Sequence, residues 1–549
     1  MNVRDQSVPA HQNAAALEPP AESVSVVAAQ IPHEVARGDE PKPTEDPTRM
    51  AGRGGLWLSF AKLYFTGIGL VQQIALSWLL ADAYGALRGV LSPASITYNP
   101  LVTAGVQGMS RAVTRVPDHE KAQAIRLGWV LHSAVALVMG AGFFLLAPLL
   151  GAGLNSDYLV PSFRILSLVV LFYGIYAPAV GVLNGLRRFR AQAGLDILTA
   201  TLRTAALLGG AWFLRSQGST RSVEGACWGF AAIAIVMVVV SVGLVGLGAA
   251  GRSSISAKEH LGFILPVIAS QAVLNLLMQA DTNTLRGFAT RAAVGVGLEP
   301  QAADPLIAAY NAGQLFGFLP FQLLVGITFI LFPMLSKAHV EGDAAAVRRY
   351  VLAGTRIAAL IVGLVMSVSA ALPESLLRLV FPAKFAELGT QSMRVLTVGL
   401  GAFALFGVFT TVLNSLGRQW QSLIVTALAF GAVIGLNWVW VNGTPFGTEL
   451  LVKTAWATTS AMLAATLISG WLVRRIAGAA IAPSVLLKVA LTTAAFLFAG
   501  RYLPSFGRVT TLAAMCGVSV AYFAILALLR TFHASDWQHI QTIIGRKRA

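Results

Sequence analysis

The chain has 549 residues, of which 56% are hydrophobic and only 12% charged, and its mean hydropathy is +0.69. Soluble domains carry about 25% charged residues, so this composition excludes them and marks a polytopic membrane protein. A formal charge of +16 would suggest nucleic acid in a soluble chain, but here the basic residues lie mainly in short loops, where they orient the chain and meet anionic headgroups, and no nucleic-acid partner is implied.

Residues 1–50 read as a different polymer. They are rich in Ala, Pro, Glu and Val, lack aromatics, and hold Asp5, Glu18, Glu22, Glu34, Asp39, Glu40, Glu45 and Asp46 among few bases. Such a composition predicts a disordered tail, and it has no basic-then-apolar start of a signal peptide. From Gly55 onward the apolar pattern predicts about fourteen membrane helices. Six fall near 55–80, 89–110, 127–150, 161–184, 193–214 and 224–248, within an N-terminal half over 51–250. A polar connector over 251–261 leads to a second half over 262–475, with spans near 262–288, 305–334, 350–372, 390–415, 420–441 and 449–472. A further helix pair over 476–531 and a basic tail over 532–549 complete the chain. Backbone amides cannot stay unpaired in lipid, and the alternation of a membrane barrel is absent, so the predicted fold is all-α. Cys227 and Cys516 fall inside predicted helices and form neither a metal-ligand cluster nor a disulfide framework. No cofactor or metal is implied.

One set of loops holds Arg111, Arg115, Lys121, Arg187, Arg188, Arg190, Arg252, Lys258, Lys337, Arg348, Arg349, Arg474 and Arg475, and the opposite set is poorer in bases. The positive-inside rule makes the first set cytoplasmic. With an even number of spans both termini are then cytoplasmic.

A stretch of the first half recurs in the second. Arg164-Ile-Leu-Ser167 precedes fourteen mostly apolar residues and Val182-Leu-Asn184-Gly-Leu-Arg-Arg188, while Arg394-Val-Leu-Thr397 precedes fourteen more and Val412-Leu-Asn414-Ser-Leu-Gly-Arg418. Arg164 and Arg394, Asn184 and Asn414, and Arg188 and Arg418 all stand 230 positions apart. The offset predicts two six-helix halves related by a parallel repeat, a plan common among transporters, plus a C-terminal helix pair. Arg164 and Arg394 fit interfacial anchoring or repeat packing. Asn184, Asn414, Arg188 and Arg418 fit the capping of helix C-termini.

Several local motifs carry a family resemblance: Gly54-Gly-Leu-Trp-Leu, the Leu-Asn-Gly-Leu-Arg-Arg-Phe run ending at Phe189, Gln279-Ala-Asp281-Thr-Asn, Ala309-Tyr-Asn-Ala, and Phe332-Pro-Met-Leu-Ser-Lys337 followed by Glu341-Gly-Asp343. In this order, over residues 54–440, they resemble the multidrug/oligosaccharidyl-lipid/polysaccharide exporter superfamily, in its polysaccharide-exporter, or lipid-linked oligosaccharide flippase, branch. The resemblance implies alternating access between two halves in a cytoplasmic (inner) membrane, without covalent chemistry. It also implies a polyprenyl-pyrophosphate-linked glycan as cargo, destined for a polysaccharide, O-antigen or cell-wall polymer, and a polysaccharide polymerase and assembly proteins as partners beside the bilayer itself.

Ionisable groups within spans usually face a cavity or a partner. Lys62, Arg203 and Arg356 are the cations expected to hold the pyrophosphate, since arginine forks match its oxygens and lysine adds a compact charge. Lys62 and Arg356 can instead snorkel to headgroups, and Arg203 can pair with Asp196. Asp281, with Asn283 and Arg286 nearby, either binds a coupling cation or proton or pairs with Arg286. Gln72, Gln73, Asn311 and Gln314 suit sugar hydroxyls or interhelical bonds. An ion-coupled multidrug exporter of the same superfamily is the nearest alternative. A membrane glycosyltransferase or polymerase finds little support, because no clustered carboxylates or phosphate-binding Gly loop appear.

Overall fold

A bilayer offers no hydrogen-bond partner to the backbone, and the chain answers by closing almost all of its backbone bonds within helices. In a computed structural model, residues 47–251 and 253–531 are described. The tail expected over residues 1–50, but for its last four residues, lies outside them, as do Arg252 and the basic end over 532–549. The first half comprises α1 (Pro47–Leu80), α2 (Tyr84–Arg115), α3 (Lys121–Gly153), α4 (Val160–Gly185), α5 (Phe189–Phe213) and α6 (Ser219–Val245). The second comprises α7 (Ala257–Gly295), α8 (Asp304–Gly317), α9 (Leu319–Val340), α10 (Ala344–Ala371), the short α11 (Pro373–Val380), α12 (Ala383–Ser415), α13 (Gln419–Val441) and α14 (Thr448–Ala477). The last pair is α15 (Pro483–Ala499) and α16 (Arg508–Leu528).

Ten helical stretches among the described residues are long and apolar enough to cross a membrane, or eleven with one bent stretch included. The expected count of about fourteen is not reached on that measure, for local reasons. The first two expected spans run together as Phe60–Arg115, 56 residues, or about 84 Å of helix at about 1.5 Å per residue. That is far beyond a hydrocarbon core of about 30 Å. The run reverses at Ala81, whose φ is 47°. Neighbouring contacts establish the reversal. Lys62, Tyr64 and Gln72 of α1 meet Asp196, Thr201 and Thr204 of α5 in the same order, so α1 and α5 are parallel. Gly174, Gly181 and Gly185 of α4 meet Leu101, Val106 and Ser110 of α2 in the same order, so α2 and α4 are parallel. Because α4 and α5 are joined by three residues and run oppositely, α1 and α2 must also be antiparallel. The fifth expected span, α5, carries Arg190, Asp196 and Arg203, and the thirteenth, α15, has 17 residues. The expected single span over 305–334 is the bent one, with a 44° change of direction between Thr328 and Leu331. Pro333 lies within α9, and a proline has no N–H to continue the helical ladder.

The repeat expected from the 230-residue offset is visible in the helix packing. The pairs α1–α5, α2–α4, α3–α4, α4–α6 and α5–α6 of the first half recur as α7–α13, α8 and α9 with α12, α10–α12, α12–α14 and α13–α14. The repeat-bearing helices α4 and α12 are the inner post of each half, with 78% and 72% of their apolar windows buried. Their ends match bond for bond. The N–H of Arg188 donates to Leu183 O at 2.8 Å and that of Arg418 to Leu413 O at 2.9 Å, each across a left-handed residue, Arg187 (φ 56°) and Gly417 (φ 72°). This is the αL closure of a helix C-terminus.

The expected polar connector over 251–261 is partly helix, since α7 starts at Ala257, capped by Ser256 Oγ accepting from the Glu259 N–H at 3.1 Å. Just before it the chain docks on the α2–α3 turn. The Ala249 N–H donates to Ala122 O at 3.0 Å, the Ser254 N–H donates to Glu120 at 2.7 Å, and Ile255 is buried with Ala112, Val116 and Ala124. The Ser254 N–H holds the Glu120 carboxyl below the usual carboxylate range, so this contact favours the docked connector at neutral pH and is lost as pH falls through the lowered value.

Helices α5 and α6 approach so closely that a Cβ on Gly210 would lie 2.0 Å from Gly225 O, and one on Gly229 2.0 Å from Ala206 O. Small residues permit such backbone contact between membrane helices. Replacing Gly225 by Val should therefore lower stability by about 1–3 kcal/mol or more, read as a lower thermal midpoint in detergent, whereas Gly194→Ala, with open space around it, should not.

Candidate functional site

Three groups of charged residues stand out inside the helices. The first lies along the parallel α1–α5 seam and the facing side of α2. Lys62 sits 2.9 Å from Asp196, with side-chain exposures of 49% and 9%. The alternative that Asp196 pairs with Arg203 is thereby corrected: Lys62, one turn closer to the start of the seam, takes the carboxylate. Arg203 is half-buried, 5.0 Å from the ring of Phe65, and beside Tyr98 and Tyr173. Those tyrosines pack edge-on with each other and with Phe230. Arg88, ten residues and about 15 Å of helix before Tyr98 on α2, donates from Nε to Asn311 Oδ1 of α8 at 2.9 Å. Arg88 on α2 and Arg203 on α5 are both half-buried, and neither has an acidic partner among the described residues.

Arg88 escaped the sequence reading, which left it in a loop ahead of a span starting at 89. Ala81-Asp-Ala83 makes a single turn, so the next helix starts at Tyr84 and carries Arg88 inside it.

The second group closes one end of the molecule, opposite the arginine-rich loops. Arg286, wholly buried, lies 2.8 Å from Asp304. It also donates to the Gly85 carbonyl and to Tyr158 Oη at 3.2 Å, and Tyr158 in turn donates to both Asp304 oxygens at 2.9 Å. Arg286 and Asp304 belong to the second half, Gly85 and Tyr158 to the first. The approach depends on glycine: a Cβ on Gly89 would lie 2.1 Å from Arg286 Nε, and one on Gly85 2.0 Å from Asp304 O. From this lock α2 and α7 run antiparallel in contact, through Ser92 to Gln279 and Asn99 to Asn275, both 2.9 Å, to Arg115 and Glu259 at 3.2 Å. The repeat maps this seam onto α8 against α1, yet neither α8 nor α9 makes an extended contact with α1 among the described residues. One seam is zipped and its counterpart is open.

The third group is Asp281. The expectation that it might pair with Arg286 fails, because Arg286 is committed to Asp304. Asp281 accepts from Tyr310 Oη at 2.9 Å, from Gln314 Nε2 at 3.0 and 2.9 Å, and from the Thr282 N–H at 2.8 Å. No cation touches it among the described residues, and it lines a small cavity, with room for about one water, together with Leu277, Met278, Phe403 and Thr458.

Among the remaining candidates, Gln72 accepts from Thr204 at 3.2 Å, and Gln314 and Asn311 are engaged as above. Gln73 is half-buried and bonds to no described residue, and Asn283 buries an oxygen without a donor. Arg356 does not join Lys62 and Arg203; it donates to Thr531 O at 2.9 Å, just past the end of α16. Arg164 lies over Phe144 at 5.4 Å, whereas Arg394 donates to Gly500 O at 3.0 Å, using a helix pair that the first half lacks.

The sequence matches a family model described as polysaccharide biosynthesis protein over residues 51–339, just over half of the chain. No curated protein matches it. Among solved structures, the lipid II flippase MurJ in an inward closed conformation aligns with a TM-score of 0.65 at 14% identity, covering 86% of this chain and 98% of that one. An inward-facing multidrug resistance MATE family transporter of the MOP superfamily aligns with a TM-score of 0.55 at 15% identity over 76% and 94% of the two chains. A MOP superfamily transporter from Pyrococcus furiosus gives 0.51 at 16% identity over 82% and 97%. At such identities the likeness is one of fold, and the fold is that of this transporter superfamily.

Removing one partner of a buried ion pair leaves an uncompensated charge, at a cost of about 3–5 kcal/mol. Asp304→Ala should therefore lower the thermal midpoint sharply, and the double substitution Arg286→Met with Asp304→Leu should recover much of the loss. A pair contributing only at the surface would give single variants within about 1 kcal/mol of the parent.

Proposed function

The chain belongs to the polysaccharide biosynthesis protein family, and on that premise we propose that it is a flippase. It carries a polyprenyl-pyrophosphate-linked oligosaccharide from the cytoplasmic to the outer leaflet of an inner membrane, with both termini in the cytoplasm. The observation that carries this reading is that Arg88 and Arg203 are both half-buried with no acid against either among the described residues. Charge held at depth is costly unless something neutralises it, and two arginine forks suit a pyrophosphate. Lys62, tied to Asp196 but half-exposed, stands closer to the cytoplasmic side. Arg356, spent on the end of α16, is a brace for the last helix pair.

The open α1–α8 seam supports a lipid-linked cargo, whose glycan and pyrophosphate can enter between the halves while the polyprenyl tail stays in lipid. With the arginine-rich loops cytoplasmic, the Arg286–Asp304–Tyr158 lock lies on the outer side and holds that side shut. The cycle then requires the lock to part and the halves to rock apart there as the cytoplasmic side closes. Asp281, buried without a cation beside a cavity, suits a proton or cation that biases this exchange. The same carboxylate favours the ion-coupled drug exporter as a second reading. Downstream, a polysaccharide polymerase and assembly proteins would consume the product.

Charge-assisted hydrogen bonds contribute about 1.5–3 kcal/mol, so Arg88→Gln and Arg203→Gln should each slow transport of a fluorescent lipid-linked oligosaccharide in proteoliposomes by about tenfold or more. Arg356→Gln should leave the rate near the parent's and lower the thermal midpoint. Full transport by the Arg88, Arg203 double variant, together with proton-driven efflux of a cationic dye, would move the chain to the drug-exporter reading.

A further inference from the structure

The α1–α5 seam carries cations from the arginine-rich end to the interior in regular register. The Arg190 guanidinium lies 5.8 Å from the ring of Trp57, Lys62 2.9 Å from Asp196, and Arg203 5.0 Å from the ring of Phe65. From Arg190 to Arg203 the helix rises about 20 Å, well over half of a hydrocarbon core of about 30 Å. Arg187, Arg188 and Arg190 are all exposed at the foot of this seam. None of the three has an acidic partner among the described residues, and the one carboxylate on the seam, Asp196, is occupied by Lys62.

Positive-inside bias alone accounts poorly for this cluster, because the repeat provides an internal comparison. At the same helix end the second half has Gly417-Arg418-Gln419-Trp420, one cation in place of three. Moreover, Arg187 occupies a left-handed conformation, φ 56°, where its counterpart is Gly417 at φ 72°. Glycine adopts that conformation freely and arginine does not. The arginine is therefore kept where local backbone preference favours glycine. The cluster is exposed at an end of the seam, and neither α8 nor α9 packs along α1 among the described residues, which leaves room for a lipid-borne group to approach.

We propose that Arg187, Arg188 and Arg190 form a loading site for the pyrophosphate headgroup of the lipid-linked cargo, which then passes along the α1–α5 seam, by Lys62, to Arg203. This rests on the flippase reading for the identity of the ligand. Loading is a capture step: the clustered charge raises the local concentration of an anionic headgroup near the membrane surface, and the interior cations bind what has been captured.

The test is binding of polyprenyl pyrophosphate, without a glycan, to the full chain in nanodiscs of zwitterionic lipid and in nanodiscs containing anionic phospholipid. Replacing the cluster together by Arg187→Gly, Arg188→Gln and Arg190→Gln should weaken binding by about tenfold or more, in both lipid compositions. Arg187→Gly alone should give a thermal midpoint at or above the parent's, which separates charge loss from misfolding. Equal affinity of the triple variant and the parent overturns the proposal. So does a difference that vanishes when anionic phospholipid is added, because the cluster then holds bulk lipid. The binding measurement is independent of transport: cluster-dependent binding without flipping would leave the site standing and remove the flippase reading, and flipping with cluster-independent binding would do the reverse.

Discussion

Charge is expensive inside a membrane, and the architecture of this protein follows from how each buried charge is answered. Arg286 is answered by Asp304, Tyr158 and a carbonyl, and Lys62 by Asp196. Arg356 and Arg394 are answered by the carbonyls of Thr531 and Gly500. Asp281 is answered by three neutral donors. Arg88 and Arg203 are left with an amide oxygen and aromatic faces. The first groups hold helices together. The last pair has no acidic partner among the described residues, and there the proposed pyrophosphate would bind.

The paired charges also define where the halves are joined. The repeat would allow two equivalent seams, α2 with α7 and α8 with α1, but only the first is zipped along its length. Glycine makes the difference at the lock, since Gly85 and Gly89 let α2 reach Arg286 and Asp304 without a Cβ in the way. A closed seam opposite an open one would give the proposed cargo a side entrance.

Much of this was legible in the sequence. Hydropathy identified the class, and the three polar matches at one offset located α4 and α12, the inner posts of the two halves. The closures that end α4 and α12 fall within the same stretch, and they are backbone bonds, from the N–H groups of Arg188 and Arg418 to Leu183 O and Leu413 O. Spacing left Asp281 open to a coupling ion or to Arg286, its neighbour on one helix, but Asp281 bonds Tyr310 and Gln314 of α8 and Arg286 bonds Asp304 of α8 with Tyr158 and Gly85 of the first half. Asp196 was offered to Arg203 for the same reason, and a lysine from α1 took it. Arg88 was missed through a boundary a few residues late at a turn with no glycine or proline in it. Spacing along one helix reveals neighbours on that helix; a charge's partner on another helix is set by packing between helices, which periodicity does not record.

The central claim is that the buried lock is an outer gate that opens during transport. Its most direct test is the distance between spin labels at Ala152→Cys and Arg291→Cys, exposed positions near the lock in the two halves, with Cys227 and Cys516 replaced. Adding lipid-linked oligosaccharide, or introducing Asp304→Asn, should shift the distribution toward longer distances. A distribution that neither the substrate nor the broken lock moves would contradict the account.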